Sequence, residues 1–367
     1  MRLDNLYQHH NYKENTLKYH MALGRKIDLD GIDRDAQLGK CPRHVLRALR
    51  ERLNATVHAP DGEAISLSDK LRSKISSKPE HWAAARKLSE QVSSDDVIFC
   101  TGEDIGIPVA AVCGQLPNRP KIVVFFHNID RLRGRVALKL FGLADKIDVF
   151  IVNARPQINF LRSYLAIPES RILVLLEQTD TQFFTPGPAS GEKKRQTVVS
   201  VGLEKRDYRL LAAATADLDV DVKISGFSKD AKALSQAFPD TMPENMSRKF
   251  YEWPDLVQLY RDADVIAVCL VDNKYAAGGT ALLEAMACKR PVAITRTQGL
   301  VDYLTAPDIA KVVDVGDAAG LREAIVHLLK NPQEAESQAQ RGYEMVVNQH
   351  SSEPYVDILA QKLRSLS

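Results

Sequence analysis

No run of about 18 apolar residues occurs in this chain, so no segment of it is expected to span a membrane. Cysteine is sparse and unpaired in pattern: Cys41, Cys100, Cys113, Cys269 and Cys288 stand apart in mostly apolar contexts, with no Cys-x-x-Cys motif and no histidine at metal-ligand spacing. A disulfide framework or zinc site is therefore not expected, and reduced, structural thiols in a cytoplasmic protein are. Neither a metal nor a cofactor is anticipated. A surplus of one charge is missing too, since 49 Lys and Arg face 47 Asp and Glu for a net charge of +2, which does not signal a nucleic-acid binder. The opening residues, Met1-Arg2-Leu3-Asp4-Asn5, pass into a polar His- and Tyr-containing segment without the apolar core of a secretory signal, so export is not expected.

What is present is a chain of 367 residues, 45% hydrophobic and 26% charged, long enough for two domains of ordinary size. The small net charge conceals a division: residues 1–190 hold 27 basic against 22 acidic side chains, and the remainder holds 22 against 25. A weakly basic first half is compatible with an anionic substrate or membrane surface.

Apolar runs of strand length alternate with helical spacing. A first strand is expected within Leu23 to Gly31, a helix over Pro42 to Leu53, a short strand at Ala55 to Ala59 and a helix from Trp82 to Val92. Strands follow at Asp96 to Cys100, Lys121 to Phe126, Asp148 to Val152 and Arg171 to Leu175. Lys121-Ile122-Val123-Val124-Phe125-Phe126 is the kind of run buried on both faces of a parallel sheet. Thr185 to Arg195, rich in Pro, Gly and charge, marks a linker. The alternation then restarts with strands at Thr197 to Gly202, Val220 to Gly226, Asp264 to Leu270 and Pro291 to Thr295, and helices at Tyr208 to Thr215, Leu256 to Tyr260 and Leu321 to Leu329. Right-handed βαβ units of this kind build doubly wound sheets. The expected division is a Rossmann-like domain over 1–188, a second over 196–352, and a final helix within 353–367 returning to the first. Two such sheets hold a ligand in the cleft where the C-terminal ends of their strands meet.

The segment from Ala276 to Ile294 organises the second half. Gly278 and Gly279 permit a tight turn and a close approach to a ligand, Thr280 can cap a helix start, and Ala281 to Cys288 is apolar on nearly every face except for Glu284. A buried helix is expected, whose N-terminus favours an anion, typically phosphate. A lone carboxylate there needs donors. Protein donors make Glu284 structural, and sugar hydroxyls make it part of a nucleotide site.

Gly279-x4-Glu284-Ala-Met-Ala-Cys-Lys-Arg-Pro-Val resembles the signature of glycosyltransferase family 4, retaining nucleotide-sugar-dependent transferases with the GT-B fold. Asp180-Thr181-Gln182-Phe183-Phe184-Thr185-Pro186 also resembles the family's segment before its linker, so the similarity runs from about Asp96 to Leu329. In the family two glutamates separated by seven residues bracket the signature. Glu284 matches the second, which contacts the donor ribose; the first, which contacts the sugar ring, falls on Ala276. The resemblance implies that His127, at the end of the strand closing with Phe126, lies beside the donor sugar as a catalytic residue; a backbone-bonded loop histidine is its plainer role. It implies a diphosphate-neutralising role for Arg206, with Lys205 beside it as a second cation or a solvated surface residue. Gly226 closes a strand where the nucleotide would approach, or makes a plain turn, and Trp253 lies near the base or in the core. Donor binding is thus expected from Glu284, Gly278, Gly279, Thr280, Lys205, Gly226 and Trp253. Residues 1–40 lack the family's glycine-containing first loop.

Arg131, Arg133, Arg135 and Lys139 interleave with Leu132, Val136, Leu138, Leu140 and Phe141. Such a helix can rest on anionic lipid or simply present a solvated face. The expected partners are a nucleoside diphosphate sugar and an acceptor sugar or lipid-linked sugar, in the cytoplasm or at the inner membrane face. The expected function is retaining transfer to an acceptor hydroxyl, with a non-catalytic scaffold that kept the fold, or a sugar-nucleotide epimerase, as alternatives.

Overall fold

The computed structural model describes residues 17–227, 233–234 and 236–366. The opening segment, whose polarity argued against an export leader, lies outside the described residues up to position 16. In the first half the chain runs β1 (Tyr19–Ala22), α1 (Leu29–Gln37), α2 (Val45–Leu53), β2 (Thr56–His58), α3 (Leu67–Ser73), α4 (Pro79–Ser89) and β3 (Val97–Cys100). It continues through α5 (Glu103–Cys113), β4 (Lys121–Phe126), α6 (Leu132–Leu140), β5 (Val149–Val152), α7 (Pro156–Leu165) and β6 (Ile172–Val174). The second half holds β7 (Thr197–Val201), α8 (Tyr208–Thr215), β8 (Asp221–Ser225), β9 (Met246–Arg248), α9 (Trp253–Asp262) and β10 (Val265–Val268). After these come α10 (Gly279–Ala287), β11 (Val292–Thr295), β12 (Lys311–Val313), α11 (Ala318–Lys330), α12 (Pro332–Gln349) and α13 (Ser352–Arg364).

The strands form two six-stranded sheets, β2-β1-β3-β4-β5-β6 and β12-β11-β10-β7-β8-β9, with every pair parallel. The strand order reverses between β1 and β3 in the first sheet and between β7 and β10 in the second, and ligands of open α/β sheets bind at such points. β4 shows why both faces are covered. Ile122, Val124 and Phe126 enter one apolar cluster with α4 and α5, while Val123 and Phe125 enter another with α2 and α13.

The first strand departs from expectation: it is Tyr19–Ala22, and the stretch expected to form it supplies the loop after it and the start of α1. Asp28 caps that helix by accepting from Gly31 N, which commits the following residues to helix. Gly24 therefore stands in a loop at the C-terminal edge of β1, so residues 1–40 do hold a glycine in their first loop, contrary to expectation.

The segment between the sheets is pinned to the second half. Ser190 donates from N and Oγ to Asp262, Arg290 Nη2 donates to Gly187 O at 2.7 Å, and Arg261 Nη2 donates to Thr185 Oγ1 at 2.7 Å. The chain crosses back where Thr179 and Ser351 form a parallel bridge. Helix α13 then buries Val356, Leu359, Ala360 and Leu363 with Met21, Leu49 and Phe99.

Candidate active site

Helix α10 is buried at eight of its nine positions, which suits a sequence apolar on nearly every face. Its N-cap is Gly278, held at φ 92° with Leu270 Cδ1 2.9 Å from where a Cβ would stand, so a side chain is opposed by both backbone and neighbour. Thr280 does not cap the helix: it lies one residue inside the first turn with an exposed side chain. Two amides of the turn are committed, Ala277 N to Tyr275 O at 2.7 Å and Gly279 N to Ala276 O at 3.0 Å. The N–H groups of Gly278, Thr280 and Ala281 have no acceptor among the described residues. Three unpaired donors and the positive end of a helix dipole thus lie at one helix start, an arrangement that suits an anion.

Glu284 lies one turn further in, 7% exposed. Tyr260 Oη, from α9, donates to its Oε2 at 2.7 Å, while Oε1 accepts from no described residue. Burial raises the carboxyl's pKa from 4.5 to about 7, against the opposing pull of the Tyr260 hydrogen bond and the Arg206 charge. The structural role thus has a donor in Tyr260, and one oxygen remains for a ligand.

Arg206 follows β7 at the reversal of strand order, bridged to Leu270 after β10. It is 4% exposed, with Nε donating to Val201 O at 2.9 Å and Nη1 to Glu204 O at 3.0 Å. The expected diphosphate clamp is therefore first a loop-building cation, because its fork is largely spent on its own backbone. Nη2 alone has no acceptor among the described residues. Gly202, at φ 101°, is required here, since a Cβ would stand 2.4 Å from Arg206 Nη2. Lys205 takes the left-handed conformation at φ 57°, its side chain half-buried with no partner among the described residues. Glu204 accepts from Tyr275 Oη at 2.7 Å and lies 3.8 Å from Arg131 of the first sheet's side.

Across the cleft, His127 is exposed at the end of β4. Its Nε2 meets Thr101 O at 3.2 Å, and Glu103 accepts from the backbone N–H groups of His127 and Asn128. It lines a cavity of about 220 Å³ together with Thr101, His44 and Glu177. Glu177 is not among the residues the sequence singles out. It stands three residues past β6, at the same kind of strand edge as His127, and that position was its only sequence signal. Its Oε1 accepts from Asn153 Nδ2 at 2.8 Å. Tyr303, also missed, accepts from Glu177 N at 2.8 Å and donates to Asn153 O at 3.0 Å, joining the two halves beside the cleft.

Two expected donor residues, Gly226 and Trp253, border this cluster through Ser225 and Phe184, which touch Gly202 and Tyr260. Gly226 is buried under Phe238, whose Cζ stands 3.0 Å from where a Cβ would be, so packing already accounts for the glycine. Trp253 is 42% exposed at the start of α9, with its ring 6.4 Å edge-on from Phe183 and 6.3 Å from Phe184; it is not a core residue. Among the described residues no group of three or more His, Cys, Asp or Glu could hold a metal ion.

Residues 190–345 match the family described as glycosyl transferases group 1. A lipopolysaccharide core biosynthesis glycosyltransferase, LpsE of Rhizobium meliloti, is 28% identical over 171 residues, 46% of this chain and 49% of that protein. The chain thus spans about half the length of this curated relative. Among solved structures, sucrose-phosphate synthase from Thermosynechococcus elongatus superimposes with a TM-score of 0.71 at 16% identity, covering 95% of this chain and 99% of that one. Anabaena HepE in complex with UDP-glucose gives a TM-score of 0.67 at 14% identity, covering 95% and 99%. The fold is GT-B: two parallel α/β domains facing across a cleft.

Proposed function

We propose that the chain is a retaining glycosyltransferase of family 4, moving a sugar from a nucleoside diphosphate to an acceptor hydroxyl. The observation that carries this reading is the pairing of open N–H groups at the α10 start with the buried, half-partnered carboxylate of Glu284 one turn away. The first suits a diphosphate and the second a ribose hydroxyl. The match over residues 190–345 lends support, as does the UDP-glucose bound by Anabaena HepE.

In this reading the departing diphosphate is stabilised by the Gly278, Thr280 and Ala281 amides and by Lys205 and Arg206 Nη2, groups already in place before the charge develops. The leaving phosphate takes the acceptor proton, and the cavity beside His127 receives the acceptor. The lipopolysaccharide relative makes a saccharide, free or lipid-linked, the acceptor to try first. Peripheral attachment through α6 is part of the proposal, because Leu132, Val136 and Leu140 are 78%, 48% and 62% exposed at four-residue spacing beside the exposed Arg133 and Lys139.

Release of nucleoside diphosphate from a panel of UDP-, GDP- and ADP-sugars, with and without saccharide acceptors, tests the proposal. Turnover of at least one bound donor is expected. Silence with every donor that binds would leave a nucleotide-binding scaffold, the outcome that the methyl of Ala276 in place of a carboxylate favours.

A further inference from the structure

We infer that Glu177 supplies the carboxylate that holds the hydroxyls of the donor sugar, reaching from the first domain to the start of α10; the inference rests on the glycosyltransferase reading. The position is clamped before any ligand arrives. Glu177 N donates to Tyr303 Oη at 2.8 Å, its carbonyl meets His350 Nδ1 at 3.0 Å, and its Oε1 accepts from Asn153 Nδ2 at 2.8 Å. Asn153 is 3% exposed and its Oδ1 has no partner among the described residues, so a buried amide is spent on holding one carboxylate oxygen. Oε2 of Glu177 has no donor among the described residues.

Its place decides what Oε2 serves. Were Gly279 to carry a Cβ, that atom would stand 3.7 Å from Glu177 Cγ and 3.7 Å from Ala276 Cβ, so the carboxylate-bearing chain and the Ala276 methyl flank the same turn. That turn offers its amides to phosphate, which a second anion would repel. A carboxylate beside it therefore belongs to the neutral, hydroxyl-bearing part of the ligand, for which it is an acceptor of two hydrogen bonds per oxygen. The methyl of Ala276 cannot provide that contact, and the bare Cα of Gly279 leaves room for it to come from Glu177. On its other side Glu177 lines the cavity that holds His127, which puts the carboxylate between the phosphate end and the acceptor end of the cleft.

Glu177→Gln separates this role from a structural one, because the amide oxygen still accepts from Asn153 and the side chain keeps its size. Calorimetry of the nucleoside diphosphate and of its sugar, together with turnover, reads the difference. The expected result is unchanged affinity for the diphosphate, affinity for the nucleotide sugar reduced to that of the diphosphate or below, and turnover lower by about 100-fold or more. A variant binding the nucleotide sugar as wild type does and turning it over within threefold would overturn the inference. Wild-type protein that binds nucleotide sugars without turnover, but loses the sugar's share of affinity in Glu177→Gln, would overturn the enzymatic reading and leave this contact standing.

Discussion

The Tyr260 hydroxyl donates to Glu284 Oε2 at 2.7 Å, joining α9 to α10 in the core of the second domain and fixing a carboxylate whose other oxygen has no donor among the described residues. Glu284→Ala strips Tyr260 of its acceptor and the ligand of its contact at once. Removing one partner of a buried hydrogen bond costs about 1–3 kcal/mol. Glu284→Ala should lose that much in unfolding free energy and bind nucleotide at least tenfold more weakly, whereas Tyr260→Phe should lose stability while keeping most of the affinity. Denaturant unfolding and calorimetry on the two variants check this; equal nucleotide affinity in Glu284→Ala and wild type would remove Glu284 from the site.

The same carboxyl makes the unliganded protein pH-sensitive. Its folded pKa, about 7, lies above the 4.5 of the unfolded chain, so the folded state binds the proton more tightly. The stabilisation is full below pH 4.5 and is lost as pH rises through 7, a difference on the order of 3 kcal/mol across the range. Ligand hydroxyls favour the ionised form, so nucleoside affinity should strengthen over the same interval, with proton release on binding. Glu284→Gln should flatten both curves. Using the nucleoside avoids the titration of the phosphates, and a pH-independent nucleoside affinity in wild type would contradict the assignment.

Arg206 holds Val201 O and Glu204 O inside the domain, so Arg206→Ala should cost stability as well as affinity. Arg206→Lys keeps the charge that faces Glu284 but cannot reproduce the fork. We expect the lysine variant to fold, to melt several degrees lower, and to lose affinity for nucleoside diphosphate more than for nucleoside. Equal losses for both ligands would confine Arg206 to loop building.

In both halves the legible strands are apolar runs buried on both faces, such as Ile122 to Phe126 and Val265 to Val268, whereas the three-residue strands β9 and β12, which carry Arg248 and Lys311, give no such run. The first strand was misplaced because its four residues include a buried histidine. His20 is 4% exposed, with Nδ1 2.9 Å from His58 Nε2 and Nε2 3.4 Å from Asp96 without a hydrogen bond, so what makes its burial tolerable comes from neighbours far along the chain. Helix α12 gives a weak apolar signal because the first part of its inner face, Ala335, Gln338, Ala339 and Gly342, is small or polar, with Met345 and Val346 only at its end. In the candidate site, Glu284 and Gly278 stand out in the sequence from their own neighbours. Glu177, Asn153 and Tyr303 do not, because their contacts join residues up to 173 positions apart.

Helix α6 offers a test away from the chemistry. Leu132 and Leu140 leave large apolar surfaces in water next to Arg133 and Lys139. In flotation with vesicles containing anionic lipid, wild-type protein should rise with the lipid at low salt, and Leu132→Glu with Leu140→Glu should stay behind with nucleotide binding intact. Wild-type protein that ignores the vesicles would assign this face to solvent.

The last prediction concerns the joint between the domains. Tyr303 belongs to the second half, is fully buried, and places its hydroxyl between Glu177 N and Asn153 O of the first. Burial pushes its pKa well above the ordinary tyrosine value, so the hydroxyl keeps its proton at any pH of interest and serves as donor and acceptor at once. Tyr303→Phe keeps the packing and removes both bonds, leaving a backbone donor and a backbone acceptor without their partner, at about 1–3 kcal/mol. Because the lost bonds hold the position of Glu177 and leave the α10 turn untouched, nucleoside diphosphate should bind Tyr303→Phe as it binds wild type. Affinity for the nucleotide sugar should fall, and with it the sharpness of thermal unfolding, since two domains coupled less tightly melt less as one unit. Calorimetric unfolding and parallel titrations with diphosphate and nucleotide sugar provide the check. An equal fall in both affinities would mean that Tyr303 supports the second domain itself and not the alignment of Glu177 across the cleft.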